Sequence, residues 1–71
     1  MKIIETTQEN ATIEMSRDEL LIVNAALNEV CHGIEIFEFE TRIGARRDHV
    51  SSISGQINLL LDAMKAKSSE D

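Results

Sequence analysis

A capped amphipathic helix between residues 16 and 33 is the feature that most constrains the fold of this chain. Ser16 and Glu19 have capping-box spacing, in which the serine hydroxyl accepts from the Glu19 amide and the glutamate reaches back. Gly33 is placed to end the helix in the left-handed conformation. Apolar residues recur at helical spacing: Leu20, Val23, Leu27, Val30 and Ile34, with Cys31 alongside. One face of this helix must therefore pack against another element.

Two short strands are predicted before the helix. Lys2–Thr7 and Ala11–Met15 are rich in Ile and Thr, and the second alternates polar and apolar residues. Gln8, Glu9 and Asn10 fit the loop of a hairpin over residues 2–15. An isolated hairpin is barely stable, so we expect it to pack on the helices, with its exposed edge free to pair with a second copy.

Two further helices are predicted after Gly33. Ile34–Glu40 fits either a strand or a helix, and we favour a short helix over 37–43, ended by Gly44. A long helix is predicted over 46–67, with 68–71 as a frayed tail. Gly55 lies inside it and indicates close approach of a neighbouring helix. Its apolar stripe comprises Val50, Ile53, Ile57, Leu60, Leu61 and Met64.

These elements predict one small α+β domain over residues 1–71. Its architecture is an N-terminal β-hairpin packed on two main α-helices with a short connecting helix. A domain of 71 residues has a thin stability margin, and this one has neither a set of disulfides nor an evident metal cluster to reinforce it. We therefore expect self-association, as a homodimer or a higher oligomer.

Charge and composition restrict location and partners. The formal net charge is −6, which opposes nonspecific binding to nucleic acid and favours a basic protein partner. No apolar run is long enough for a signal peptide or a membrane span. Cys31 is the single cysteine, so an intramolecular disulfide is impossible. We expect a cytoplasmic protein that contacts no membrane.

The sequence contains no constellation that indicates catalysis. Cys31 and His32 are adjacent on a helix and point about 100° apart, so they do not converge on a metal ion. His49 lies on a different predicted helix. No nucleophile–base pair or phosphate-binding loop is present. We expect a protein that is not an enzyme and that binds no metal and no cofactor.

The segment 34–40 alternates glutamates with apolar residues and contains both aromatic residues of the chain. Exposed rings would serve as desolvated anchors, while carboxylates around them would meet Arg or Lys of a basic partner. The alternative is that both rings belong to the core and the glutamates form a solvated face. The predicted partner-binding residues are Glu35, Phe37, Glu38, Phe39 and Glu40.

A helix-turn-helix is the alternative interpretation of residues 39–53. Phe39, Ile43 and Gly44 fall near the apolar and turn positions of such a unit. The predicted DNA-binding residues at the start of the second helix are Arg46, Arg47 and His49. The acidic chain and Glu40, which stands where a small residue usually lets the helices meet, oppose this interpretation. We expect nucleic acid not to be a partner.

The pattern NAALNEVCHGI over residues 24–34, followed by EFETRIG over 38–44, resembles small bacterial proteins of uncharacterised function. The resemblance covers about half the chain and implies a bacterial source and a compact α+β domain. In those proteins we expect a Ser or Thr helix cap after the Gly-Ala turn, where this chain has Arg46. That departure weakens the predicted start of the last helix and frees Arg46 for the surface.

Three function hypotheses follow. The first is a non-catalytic protein-binding module, in its sharper form an immunity or antitoxin-type inhibitor of a basic partner that cleaves nucleic acid. The second is a small helix-turn-helix regulator that binds DNA. The third is a homo-oligomer whose apolar surface serves self-assembly alone.

Overall fold

The structure is a computed structural model that describes residues 1–69, with side chains described through residue 66. An antiparallel hairpin of β1 (Lys2–Thr6) and β2 (Ala11–Glu14) comes first. Helix α1 (Arg17–Asn28) follows and continues as a π-helical turn over Glu29–Gly33. The short helix α2 (Phe39–Ile43) and the long helix α3 (Arg47–Ser69) complete the fold. The α+β class and the order of elements are as predicted from the sequence.

The capping box predicted at the start of α1 is present. The Glu19 amide donates to Ser16 Oγ at 3.1 Å, and the Ser16 amide donates to Glu19 Oε1 at 3.0 Å. These bonds satisfy two backbone donors that a helix start leaves without an intrahelical partner. The predicted capping box at Ser16 is therefore confirmed, and α1 begins at the next residue, Arg17.

The end of α1 differs from the prediction for Gly33. Gly44 is the one glycine of the described chain with a positive φ, so Gly33 does not adopt the left-handed conformation. The helix widens instead, and the Ile34 amide donates to the Glu29 carbonyl five residues back, at 3.0 Å. Ile34 is already extended, with φ −127° and ψ 154°. A widened turn thus ends the helix without a left-handed residue.

The core lies where the π-helical turn, α2 and α3 meet. Cys31, Phe39 and Val50 pack together there, and they are 3%, 8% and 5% exposed. Partly buried apolar residues surround them: Leu27, Val30, Ile36 and Ala45. We call this cluster of Cys31, Phe39 and Val50 the corner core.

Helices α1 and α3 run antiparallel, with a polar network between them. Ser54 is 5% exposed, and its hydroxyl donates to Asn24 Oδ1 at 3.1 Å. The Asn24 amide nitrogen in turn donates to Asn58 Oδ1 at 2.7 Å. Because a slip of either helix would leave these groups unpaired, the network fixes the register of the pair.

Gly55 does not mark the close approach predicted from the sequence. A Cβ atom built at this position would meet nothing within 4 Å. Val50, Ser54 and Leu61 face α1, and Gly55 lies on the opposite, exposed side of α3. Of the predicted frayed tail, residues 68 and 69 belong to α3, and residues 70 and 71 lie outside the described residues.

The hairpin extends from the start of α1 and is exposed along its whole length. Every residue of β1 and β2 is exposed, including Ile3 at 67% and Ile13 at 44%. A β-bulge between Ile3 and Glu5 interrupts the pairing. Contact with the helices is concentrated near the end of β2, where Ile13 and Met15 line an apolar groove. The predicted packing of the hairpin on the helices is therefore limited to the end of β2.

Candidate functional site

The loop from Ile34 to Glu38, which we call the Phe37 loop, connects the π-helical turn to α2. Ile36 packs against the corner core. Phe37 points the other way and is 75% exposed. Ile34 is also exposed, at 51%, although the sequence placed it on the buried stripe of α1. The loop thus presents two large apolar side chains to solvent.

Glu38 holds an unusual backbone conformation at the end of this loop. Its φ of 55° and ψ of 52° are left-handed, and it is the non-glycine residue of the described chain with a positive φ. Its carbonyl accepts from the Arg42 amide at 3.1 Å, which closes the first turn of α2. Such a conformation costs on the order of 1 kcal/mol for a residue with a Cβ atom. The reversal at Glu38 separates exposed Phe37 from buried Phe39.

Phe39 is part of the core, so its prediction as a partner-binding anchor is corrected here. The ring packs in the corner core and is 8% exposed. The Arg47 guanidinium lies over it, 4.5 Å from the ring centroid. Two positions were predicted for the aromatic rings, exposure at an interface or burial in the core. The exposed position fits Phe37, and burial in the core describes Phe39.

The three predicted glutamates are exposed around the loop. Glu35 and Glu38 lie within it, and no ion pair of the described residues includes either one. Glu40 lies in the first turn of α2, where its carboxylate is 3.8 Å from Arg46 Nε. The Phe37 loop therefore combines an exposed ring with two carboxylates that are free to meet cations of another protein.

The arginines of the helix-turn-helix alternative are engaged within the chain. Arg47 donates to the Cys31 carbonyl, and its guanidinium covers Phe39. Arg46 is exposed but lies between two carboxylates, 3.8 Å from Glu40 and 3.3 Å from Asp48. Arg46 thus lies at the surface with its charge balanced by two carboxylates. A recognition helix needs cations that are free to meet phosphate.

The third residue of that alternative, His49, is exposed in the first turn of α3. Its amide donates to the Asp48 carboxylate at 3.0 Å, and it also bonds the Arg46 carbonyl at 3.1 Å. Asp48 thus supplies the side-chain acceptor near the start of α3 that Arg46 cannot provide. The anionic side chain also suits the positive end of the helix.

A shallow cavity of about 560 Å³ lies between α2 and the start of α3. His32 and Ser51 line it together with groups of both charges: Glu40, Arg46, Arg47 and Asp48. Because the carboxylates compensate the guanidinium groups, this cavity has no net preference for an anion. Among residues 1–66, no group of three or more His, Cys, Asp or Glu side chains is placed to hold a metal ion.

One pKa shift accompanies the start of α1. The α-amino group of Met1 donates to both Glu19 carboxylate oxygens, at 2.7 Å and 2.6 Å. This bond, together with the one from the Ser16 amide, lowers the pKa of Glu19 below its ordinary value of 4.5. The hydrogen bonds to the Glu19 carboxylate stabilise the cap of α1, and they lie away from the Phe37 loop.

No helix of the described residues is long and apolar enough to cross a membrane. No family model, curated protein or solved structure matches this chain.

Proposed function

We propose that this protein is a non-catalytic protein-binding module that uses the Phe37 loop to bind a basic partner protein. The observation that carries the proposal is the 75% exposure of Phe37 on a loop whose Ile36 packs against the corner core. Large rings are the side chains that most often anchor protein interfaces, because they bury much area with little loss of conformational freedom. We assign the action of the protein to the cytoplasm, as expected from its sequence.

The backbone at Glu38 supports this proposal. A left-handed glutamate is less stable than an ordinary loop residue, and such strain is concentrated at ligand-binding and switch sites. Here the strain has an identifiable consequence, since it turns the chain between Phe37 and Phe39. With an extended backbone at residue 38, the rings of Phe37 and Phe39 would lie on the same side of the chain, both toward the core or both toward solvent.

Charge defines the class of partner. Glu35 and Glu38 flank the exposed ring, and the chain carries −6 overall. Complementary charge speeds encounter and excludes acidic partners. Carboxylates presented in this way also resemble phosphate groups in charge. The sharper form of the proposal is therefore an immunity or antitoxin-type inhibitor that occupies the phosphate-binding surface of a nucleic-acid-cleaving protein.

The test is capture from a nuclease-treated lysate of the native host with tagged wild-type protein and variants. Phe37→Ala and Glu38→Lys should each weaken retention of one stoichiometric basic protein, by about 30-fold for a central interface residue. Leu59→Ala and Glu9→Lys are matched controls, because both residues are exposed and distant in sequence. Both controls should retain the partner.

Circular dichroism of each variant separates loss of binding from loss of folding. Equal retention by wild type, Phe37→Ala and Glu38→Lys would overturn the proposal. Retention of nucleic acid in place of protein in an untreated lysate would also overturn it, and would favour the regulator that binds through Arg46, Arg47 and His49.

A further inference from the structure

An apolar groove lies at the opposite end of the α1–α3 pair from the corner core. It has a volume of about 470 Å³ and is bounded by β2, the first turns of α1 and the second half of α3. Its apolar lining includes Ile13, Leu20, Val23, Ile57, Leu60 and Met64. Leu60 is 48% exposed although it belongs to the apolar stripe of α3.

The groove continues onto the hairpin. Ile3 lies directly opposite Ile13 in the antiparallel register, so the two side chains share one face of the hairpin. The neighbouring pair, Lys2 and Glu14, is charged and alternates to the other face. The hairpin is thus amphipathic, and its apolar face is continuous with the groove. No part of the chain described here covers that face.

The chain exposes more surface than a compact monomer of its size. The chain exposes 5857 Å², whereas a folded monomer of this mass exposes about 4,400 Å². Its radius of gyration is 14.3 Å, against about 11 Å for a compact domain of this length. Its extents are 45 × 31 × 16 Å, so the chain is elongated and flat. The α1–α3 pair therefore lacks a second layer.

We propose that a second copy of this chain covers the groove and the apolar face of the hairpin, in a two-fold dimer. The excess surface of about 1,400 Å² per chain exceeds the ~800 Å² that a standard interface buries on each partner, so it is sufficient for a stable dimer. A two-fold interface uses the same patch on both subunits. The apolar hairpin of one copy meets the helical groove of the other, and the reverse contact follows by symmetry.

Charge placement favours a second copy as the occupant. Chains of net charge −6 repel one another, so they associate through a surface that carries few acidic groups. Glu14 is the one charged residue among those that line the groove, and its position in β2 directs its side chain to the other face of the hairpin. By contrast, the Phe37 loop carries Glu35 and Glu38 and is unsuited to meet its own copy. The two surfaces are therefore separate, and each can be tested without the other.

The test measures the mass of the purified full chain by sedimentation equilibrium over a range of concentrations. Wild type should have twice the 7.9 kDa of the chain. Leu60→Glu should raise the dimer dissociation constant about 100-fold. Leu59→Glu is the matched control, because Leu59 is 71% exposed on the other side of α3, and it should leave the mass unchanged.

A second variant guards against loss of folding. Ile13→Thr keeps a β-branched residue in the strand while making the groove polar, so the hairpin should persist and the dimer should weaken. Phe37→Ala should leave the mass unchanged. A monomeric wild type at 100 µM would overturn the proposal. So would a dimer insensitive to both Leu60→Glu and Ile13→Thr, or one that Phe37→Ala dissociates.

Discussion

The two ends of the α1–α3 pair contrast in what covers them. At the corner core, the π-helical turn and α2 close over Cys31, Phe39 and Val50, and each of these side chains is less than a tenth exposed. At the groove, the hairpin extends past the helices and leaves Ile13 and Leu60 nearly half exposed. The corner core is thus closed on all sides, whereas the groove end buries Leu20, at 7% exposed, but leaves part of its apolar lining open. The stability of the isolated chain should therefore depend mainly on the corner core.

The largest effect is expected from the phenylalanine pair. Phe39→Ala removes a ring from the corner core and should lower the free energy of unfolding by about 3–5 kcal/mol. Phe37→Ala, the same change two residues earlier, should alter it by less than about 0.5 kcal/mol. Urea denaturation followed by circular dichroism measures both. Equal losses would mean that the Phe37 ring is buried in solution and that the contrast between the two ends is overstated.

The next effect concerns the arginine pair at the start of α3. Arg47→Ala removes the hydrogen bond to the Cys31 carbonyl and the cation–π contact with Phe39, and should destabilise the chain by about 1–2 kcal/mol. Arg46→Ala removes exposed ion pairs alone and should change stability by less than about 0.5 kcal/mol. The same denaturation assay compares them. A larger loss at Arg46 would show that Arg47 does not hold the corner together.

A smaller effect of opposite sign on stability is expected at Gly55, which lies in α3 between the corner core and the groove. Gly55→Ala places a methyl group in open space on α3 and should raise the free energy of unfolding by about 0.5–1 kcal/mol. The control is Gly44→Ala, which forces a Cβ atom onto a backbone with φ of 84° and should destabilise the chain. Destabilisation by Gly55→Ala would place another element against that side of α3.

The smallest effect is a pH dependence at the groove end. Because the pKa of Glu19 is lowered in the folded chain, its contribution is complete above its ordinary value of 4.5 and is lost as the pH falls through the folded pKa. Glu19→Gln keeps the capping-box geometry without the charge. The stability difference between wild type and this variant should shrink as the pH falls below 4.5 and through the lowered pKa of Glu19. A constant difference would exclude the charge of Glu19 as its source.

Much of the fold could be predicted because local signals agreed. Ser16 and Glu19 specify a helix start, and Gly44 specifies the end of α2, where its φ is 84° and its amide bonds the Glu40 carbonyl at 2.8 Å. The π-helical turn could not be predicted from the sequence. A hydrogen bond between residues five apart, in place of four, leaves the helical spacing of the apolar residues nearly unchanged. The close approach predicted at Gly55 is wrong, because helical geometry places this residue about 140° from Val50, off the buried stripe.

The candidate site could be predicted in part. The alternation of Ile36, Phe37 and Phe39 with glutamates was compatible with two packings, because neither aromatic ring has a local partner that fixes its side. The deciding feature is the left-handed backbone at Glu38, which no glycine or asparagine signals at that position. The groove could not be predicted from the sequence, because the exposure of Leu60 depends on how much of α3 the hairpin covers. That coverage is a property of the assembled fold.

The bulge in β1 has a consequence for how this protein behaves when concentrated. A chain that exposes a hairpin edge could add strand after strand and grow into a fibre. The interruption between Ile3 and Glu5 breaks the ladder and increases its twist, so a third strand finds no straight template. The bulge therefore opposes the growth of a fibre through pairing of hairpin edges. It does not oppose contact between two chains through the face that carries Ile3 and Ile13. The irregularity thus favours a particle of finite size over a polymer.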